Sequence, residues 1–228
     1  MDIKDQILST IKEKSLTKQI VFDNTLNVFN MLKAVLQETV KHFNSNLKNI
    51  DPRVNLEYID NGKFEAQLKI AGDLLIFSMH SNAFEFNREH SIWKTPFAQD
   101  NPLNTYCGII NVYNFLNDSF RYNREEDLGY LIGRIFTNRD MYFMVEGKRQ
   151  LGFIYNLMGQ QKISKEILQE IIYNTIMYTL EFDLLIPPYD SVKIASVAQM
   201  NQNIENSKTQ TGKRLGFLFN SDDVSGQL

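Results

Sequence analysis

The sequence predicts an α+β fold, in which a largely antiparallel, meander-like sheet of about seven or eight strands packs with a long N-terminal helix and a C-terminal helix. Two observations predict it, the spacing of the apolar residues and the length of the gaps between strands. Apolar residues recur with a helical period over residues 1–49, with a period of two over 53–156, and with a helical period again from 163. The gaps between strand segments are also too short for the crossovers that a parallel sheet requires.

Residues 1–205 are expected to form one domain, because no shift in composition divides them. A helical N-terminal region, residues 1–49, precedes the sheet of 53–156, and C-terminal helices follow over 163–205. Residues 206–228 are expected to be a polar linker, a short apolar strand and a flexible tail.

Two helices are expected at the N-terminus. The apolar face of the first is formed by Ile3, Ile7, Leu8 and Ile11. A break is predicted at Ser15 to Thr17, which are both candidate N-caps, and a second helix is predicted over residues 18–47. At 1.5 Å per residue that helix would be roughly 45 Å long. It is therefore expected either to kink or to present some of its apolar stripe outside the domain.

The clearest strand runs from Phe64 to Ile70, where apolar and polar residues alternate after an Asn61-Gly62 turn. Strands are also predicted over residues 54–58, 74–81, 84–86, 106–115, 128–137, 141–145 and 151–155. Ser164 is the expected N-cap of a helix that ends near Phe182.

Candidates for acid–base or metal chemistry cluster around the long excursion at residues 88–104. They are His80, Glu85, Glu89 and His90. Histidine and carboxylate groups together can move a proton or hold a metal, but their spacing matches no ligand motif. No metal or cofactor is therefore predicted, and structural roles are the alternative.

Basic residues give a second set of candidates. Arg134 interrupts an apolar strand and needs a carboxylate or a bound anion if its face is buried. Glu126, Asp127 and Glu146 are plausible partners, and recognition of a ligand's carboxylate or phosphate is the alternative. Two similar Gly-Lys-Arg turns, at Lys148-Arg149 and Lys213-Arg214, are candidate phosphate or nucleic-acid contacts. Neither turn completes a nucleotide-binding loop, and solvated turns are the alternative.

The C-terminal apolar segment contributes candidates for partner binding, Leu215, Phe217 and Phe219. The segment is expected either to complete its own sheet or to add a strand to a neighbour. Cys107, the one cysteine, lies in an apolar run and is expected to be a buried hydrophobe, not a nucleophile.

The composition favours some kinds of protein over others. A single cysteine excludes an internal disulfide and is typical of the cytoplasm, and no apolar run is long enough to span a membrane. A net charge of −3 makes nucleic acid a less favoured partner. The favoured expectation is a non-enzymatic binding, regulatory or scaffold protein that contacts another protein or a copy of itself. The alternatives are an enzyme or small-molecule sensor near His80, Glu85 and His90, and a nucleic-acid-associated protein.

Overall fold

The computed structural model describes residues 2–125 and 127–182, together with residues 189, 193, 194 and 196–198. It confirms the predicted α+β class, with a seven-stranded antiparallel sheet, a long N-terminal helix and a C-terminal helix. The helices are α1 (Ile3–Thr10), α2 (Leu16–Asn46), α3 (Pro96–Asp100), α4 (Asn117–Arg121), α5 (Gln150–Ile154) and α6 (Lys165–Leu180). The strands are β1 (Leu56–Asp60), β2 (Glu65–Ile70), β3 (Asp73–Met79), β4 (Phe84–Glu85), β5 (Tyr106–Leu116), β6 (Tyr130–Asn138) and β7 (Phe143–Gly147).

The predicted break between the first two helices is wrong. A π-helical turn, Ile11–Ser15, joins α1 to α2, and Ser15 itself has helical backbone angles, φ −71° and ψ −39°. Thr17, the other predicted cap, is a buried helical residue. The π-turn accommodates one additional residue per turn, so the helix continues through Ser15 and Thr17, and neither residue caps a new helix.

Helix α2 lies on one face of the sheet and forms the main core together with α6. Its apolar positions recur every three or four residues, and they are buried from Val21 to Leu36. The same core holds the strand residues Leu68, Phe77, Ile110 and Ile135, together with the α6 residues Leu168 and Ile172. Ser164 caps α6 as predicted, because its hydroxyl accepts the Ile167 N–H at 3.3 Å.

Helix α2 also holds the edge strand β1 at both of its ends. The Asn44 amide group makes two hydrogen bonds with the backbone of Leu56, at 2.8 and 3.0 Å. At the other end, the Lys33 ammonium contacts Asp60 at 2.7 Å and the Gly62 carbonyl at 2.5 Å. The polar contacts of α2 therefore set the position of the outer strand relative to the helix.

The strand order β1-β2-β3-β5-β6-β7 is the predicted meander. Strand β4 departs from it, because it pairs with β5 instead of returning along β3. Met79 lies opposite Ile110, and Phe84 lies opposite Cys107, so β4 continues the path of β3 along the same neighbour. The predicted hairpin at residues 82–83 is therefore an interruption in one long path beside β5.

The strand predicted over residues 151–155 is a helix, α5. Arg149 has φ +48°, which turns the chain sharply after β7. Gly152 then packs so closely on β7 that a Cβ there would lie 2.3 Å from the Gly147 carbonyl oxygen. The alternating apolar residues Leu151, Phe153 and Tyr155 resemble a strand, but Leu151 is buried while Phe153 is exposed.

The opposite face of the sheet carries a second, smaller core under the 88–104 excursion. Successive strand residues point to opposite faces, so Phe136 and Met144 lie opposite the α2 side. They pack with Ile92, Ala98, Cys107 and Met158. Ile92 lies in a 3-10 turn, Ser91–Lys94, and Ala98 lies in α3, so the excursion is an ordered cover over β5–β7.

A substitution at Gly108 tests how closely α2 packs on the sheet. A Cβ at residue 108 would lie 2.0 Å from the Thr25 hydroxyl oxygen, so we expect Gly108→Ala to cost about 1–3 kcal/mol through overpacking. Gly72→Ala is the matched control, because nothing lies within 4 Å of its added Cβ. It should change the free energy of unfolding, measured in urea, by no more than about 0.5 kcal/mol. Equal stability of the two variants would contradict this close approach.

Candidate functional site

The N-terminal helical arm, residues 3–15, is the first candidate surface. Among these residues, all of which the structure describes, neither α1 nor the π-turn contains a buried side chain. Burial begins at Thr17, which is 3% exposed. At 1.5 Å per residue the arm extends the helix by about 20 Å. The arm therefore contributes nothing to the core that α2 forms.

Large apolar side chains follow the exposed side of this helix. We call them the apolar ridge, and they are between 38% and 64% exposed: Ile3, Ile7, Leu8, Ile11, Leu16 and Ile20. Positions four apart share a face in an α-helix, and positions five apart share a face across a π-turn. The π-turn therefore keeps Leu16 in line with Ile11 and makes the ridge continuous.

The arm meets the sheet on its other side. The ammonium groups of Lys14 and Lys18 each lie 5.6 Å from the centre of the Tyr106 ring. A hydrogen bond with Tyr106 raises the pKa of Lys14 above its usual value. These cation–π contacts hold the base of the arm against β5 and leave the ridge facing solvent.

The open sheet face is the second candidate surface. The register places five polar residues in one row across the sheet, all of them half-buried. The row consists of Glu65, Ser78, Asn111, Arg134 and Glu146. It lies on the face opposite α2 and ends beside the 88–104 excursion.

Two of the predicted site residues meet at the end of this row. Arg134 donates to Glu146 through its Nη2, and the His90 Nε2 lies 3.5 Å from the other oxygen of Glu146. The His90 Nδ1 accepts the Ile92 N–H at 3.2 Å, which leaves Nε2 to carry the proton that faces Glu146. Of the three predicted acidic candidates, Glu146 is the one that pairs with Arg134, and it also joins Arg134 to His90.

His90 is held in place by an aromatic neighbour. Its ring stacks on Phe86 with 4.6 Å between ring centres. Arg134 lies 5.4 Å from the ring centre of Phe136, which packs on Phe86 in turn. The second core therefore supports His90, Arg134 and Glu146 from below, and it leaves each of them partly open to solvent.

The other members of the predicted acid–base cluster have separate local roles. The His80 Nδ1 accepts the Asn82 N–H at 3.1 Å, and its ring packs edge-on against Phe84. Glu85 binds Arg88 at 2.9 Å, and Glu89 is exposed. Among the residues that the structure describes, no three His, Cys, Asp or Glu side chains converge to hold a metal ion.

The first Gly-Lys-Arg turn lies between β7 and α5. Arg149 contacts Glu181 at 2.9 Å and lies over the ring of Tyr178, while Lys148 is exposed. The arginine is therefore engaged within the protein, and Lys148 is the cation that the turn presents to solvent. The second turn, Lys213-Arg214, lies outside the described residues, and so do the candidates for partner binding, Leu215, Phe217 and Phe219.

Sequence reasoning missed two features of these surfaces. The exposure of Leu16 and Ile20 was not predicted, although the step of five from Ile11 to Leu16 was a visible signal of a π-turn. Arg88 stacks on Trp93 at 3.9 Å, an arrangement that depends on how the 88–104 excursion folds and has no signal in the residue pattern.

Comparison with known proteins gives no family model, no curated protein and no solved structure that matches this chain. Among the described helices, none combines the length and the apolar character needed to cross a membrane.

Cys107 gives a test of the second core. It is 1% exposed, as predicted, and burial raises the pKa of its thiol to about 12. We expect iodoacetamide at pH 8 to leave the folded protein unmodified and to alkylate Cys107 after unfolding, as measured by mass spectrometry. Because an unfolded thiol ionises near pH 9, the free energy of unfolding should fall as the pH rises from 9 towards 12. Equally fast alkylation of folded and unfolded protein would contradict this burial.

Proposed function

We propose that this protein is a non-enzymatic binding or scaffold protein that acts through protein–protein contacts, and that the N-terminal arm is its contact surface. The observation that carries the proposal is the apolar ridge, which is exposed along a helix that contributes no buried side chain between residues 3 and 15. A continuous exposed apolar surface on a helix is typical of recognition by another helix or by a groove.

The energetics of the ridge agree with this role. Burying a whole leucine or isoleucine side chain stabilises by about 1.5–3 kcal/mol, so each half-exposed ridge residue would gain about 1 kcal/mol in a contact. Six such residues give a gross gain of about 6 kcal/mol from one partner, and a matching apolar surface on the other partner doubles it. Association costs about 4–15 kcal/mol in lost freedom, so a reversible complex is expected.

The arm is also prepared for binding before a partner arrives. A free helix of about 12–15 residues or fewer is only marginally stable in water. Here the arm is the direct continuation of α2, whose burial supplies the helix nucleus, and Lys14 and Lys18 tie its base to Tyr106. A partner therefore meets a preformed helix and incurs less of the entropic cost of ordering it.

The arm should control the size of the assembly that the protein forms in an extract of its own cells. We expect the tagged wild-type chain to elute well above the mass of one chain, and the double variant Ile7→Asp, Ile11→Asp to elute at that mass. The arm holds no buried residue, so the melting temperature should stay within about 2 °C of the wild type.

The control for this experiment is Phe153→Asp, which replaces an apolar side chain that is 78% exposed and lies outside the arm. It should elute with the wild type. A wild-type chain that elutes at the mass of one chain would contradict the proposed function, and so would loss of the assembly in Phe153→Asp alone.

A second candidate function is a small-molecule sensor or an enzyme on the open sheet face. The observation that favours it is the convergence of His90, Glu146 and Arg134 beside an ordered excursion. A guanidinium group binds carboxylate or phosphate in a fixed geometry, and a neutral imidazole can accept or transfer a proton. A ligand anion would have to share Arg134 with Glu146.

Inorganic phosphate and malonate test this second candidate. We expect either anion, at millimolar concentration, to raise the melting temperature of the wild type, and Arg134→Gln to remove that increase. Arg88→Gln is the matched control, because its guanidinium pairs with Glu85 outside the row and should leave the increase intact. No increase in the wild type with either anion would argue against an anion site at Arg134.

A further inference from the structure

An open cleft of about 530 Å³ lies between α2 and the connection from β3 to β4. Its volume is in the range that small-molecule sites occupy. The helix and the connection each contribute to its lining, which includes Lys18, Gln19, Phe22, Ser81, Asn82 and Phe84. The lining therefore combines two aromatic rings with a cation, a hydroxyl group and two amide groups that can hydrogen-bond with a ligand.

Two lysines from different elements reach this cleft. Lys18 lines it on α2, and Phe22 lies one helical turn further along the same face. The Lys63 ammonium, from the turn between β1 and β2, lies 5.4 Å from the ring centre of Phe22 and 5.4 Å from that of Phe64. Because Phe22 lines the cleft, Lys63 brings a second positive charge to its edge.

Neither of these two lysines is paired with an acidic group. Each ammonium lies over an aromatic ring, and no carboxylate oxygen of the described residues lies within 4 Å of either one. A cation–π contact positions a cation without neutralising its charge. An anion in the cleft therefore has no internal ion pair to displace, whereas an anion at Arg134 would have to compete with Glu146.

The remaining charges near the cleft leave it positive. On the neighbouring elements these are Lys14, Asp23, Glu65, Glu85 and Arg88. Glu85 pairs with Arg88 at 2.9 Å, and Glu65 belongs to the row on the opposite face of the sheet. Asp23 is exposed on α2, and the charge of Lys14 offsets it. The charges of the two lysines at the cleft therefore remain, although the whole chain carries −3.

A phosphate group is the anion that fits two lysines. A phosphate monoester carries a charge of about −1.5 to −2 at neutral pH, so two ammonium groups balance it, whereas a carboxylate needs only one. Lysine binds phosphate as a point charge, and the Ser81 hydroxyl and Asn82 amide can donate to further oxygens. The rings of Phe22 and Phe84 offer a surface to the group that carries the phosphate.

We propose that this cleft binds a small phosphorylated compound, with Lys18 and Lys63 at its phosphate group and the rings of Phe22 and Phe84 against its apolar or planar body. The inference goes beyond the proposed function, because the cleft lies on the sheet side of α2 and the apolar ridge lies on its solvent side.

Calorimetric titration of the purified full-length protein tests the chemistry of the ligand. The probe is phenyl phosphate, which joins a phosphate group to an aromatic ring, and we expect a dissociation constant below about 1 mM. Inorganic phosphate lacks the ring, and benzoate carries a single negative charge on the same ring. Each should therefore bind roughly tenfold more weakly than phenyl phosphate.

Substitution of the lysines tests the location of the site. Lys18→Gln and Lys63→Gln should each raise the dissociation constant for phenyl phosphate roughly tenfold, because each removes one charged contact. Lys41→Gln is the matched control, because it removes the same charge from an exposed position of α2 about 35 Å along the helix from Lys18. It should leave the constant unchanged. All three variants should melt within about 4 °C of the wild type, which separates loss of binding from loss of folding.

Three results would overturn the proposal. One is a wild type that does not bind phenyl phosphate at roughly 10 mM. Another is equal weakening by Lys41→Gln, which would show a general attraction between the protein and anions. The third is unchanged binding in both Lys18→Gln and Lys63→Gln. Benzoate that binds as tightly as phenyl phosphate would overturn the assignment to phosphate, and inorganic phosphate that does so would overturn the assignment of a ring-bearing ligand.

Discussion

The packing of α2 across the sheet is the constraint on which the rest of the structure depends. One stripe of this helix supplies the core from Val21 to Leu36, and its backbone comes close enough to β5 that residue 108 must be glycine against Thr25. Its polar contacts at Lys33 and Asn44 hold the edge strand β1. Because the sheet is narrower than the helix is long, burial ends at Thr17 and the first turns extend past the core.

The arm is the direct consequence of that mismatch in length. Isolated, residues 3–15 would be too short to hold helical structure, but a helix that is already nucleated by burial propagates at little cost. The π-turn has a second effect. It accommodates the five-residue step between Ile11 and Leu16, so the exposed ridge stays continuous from Ile3 to Ile20. The helix that forms the core with the sheet therefore also carries the apolar ridge, which makes no contact with that core.

Much of the fold could be predicted from the sequence because its elements are set by local chemistry. Gly62 takes a φ of +88° in the predicted hairpin turn, Ser164 caps α6, and the alternation from Phe64 to Ile70 is a half-buried strand. The errors arose where a distant contact overrides the pattern. Leu151 to Tyr155 alternates like a strand, but the turn at Arg149 and the close approach of Gly152 to Gly147 make it a helix. The pairing of β4 with β5 depends on the same kind of long-range contact.

The two candidate surfaces differed in how far the sequence could predict them. Glu146 was one of three acidic candidates for Arg134, and strand register alone places the two side by side. His90 joins them only because the 88–104 excursion folds over Phe136, which no local pattern signals. Within that group the charge of Arg134 is balanced by Glu146, so a ligand must compete with an internal ion pair.

The ridge carries no such competitor among the described residues. Its six side chains are exposed and lie on a helix that is already formed. Apolar surface that is already ordered gains free energy on burial without a matching loss of internal contacts. On physical grounds, the arm is therefore the surface on which binding has the most to gain.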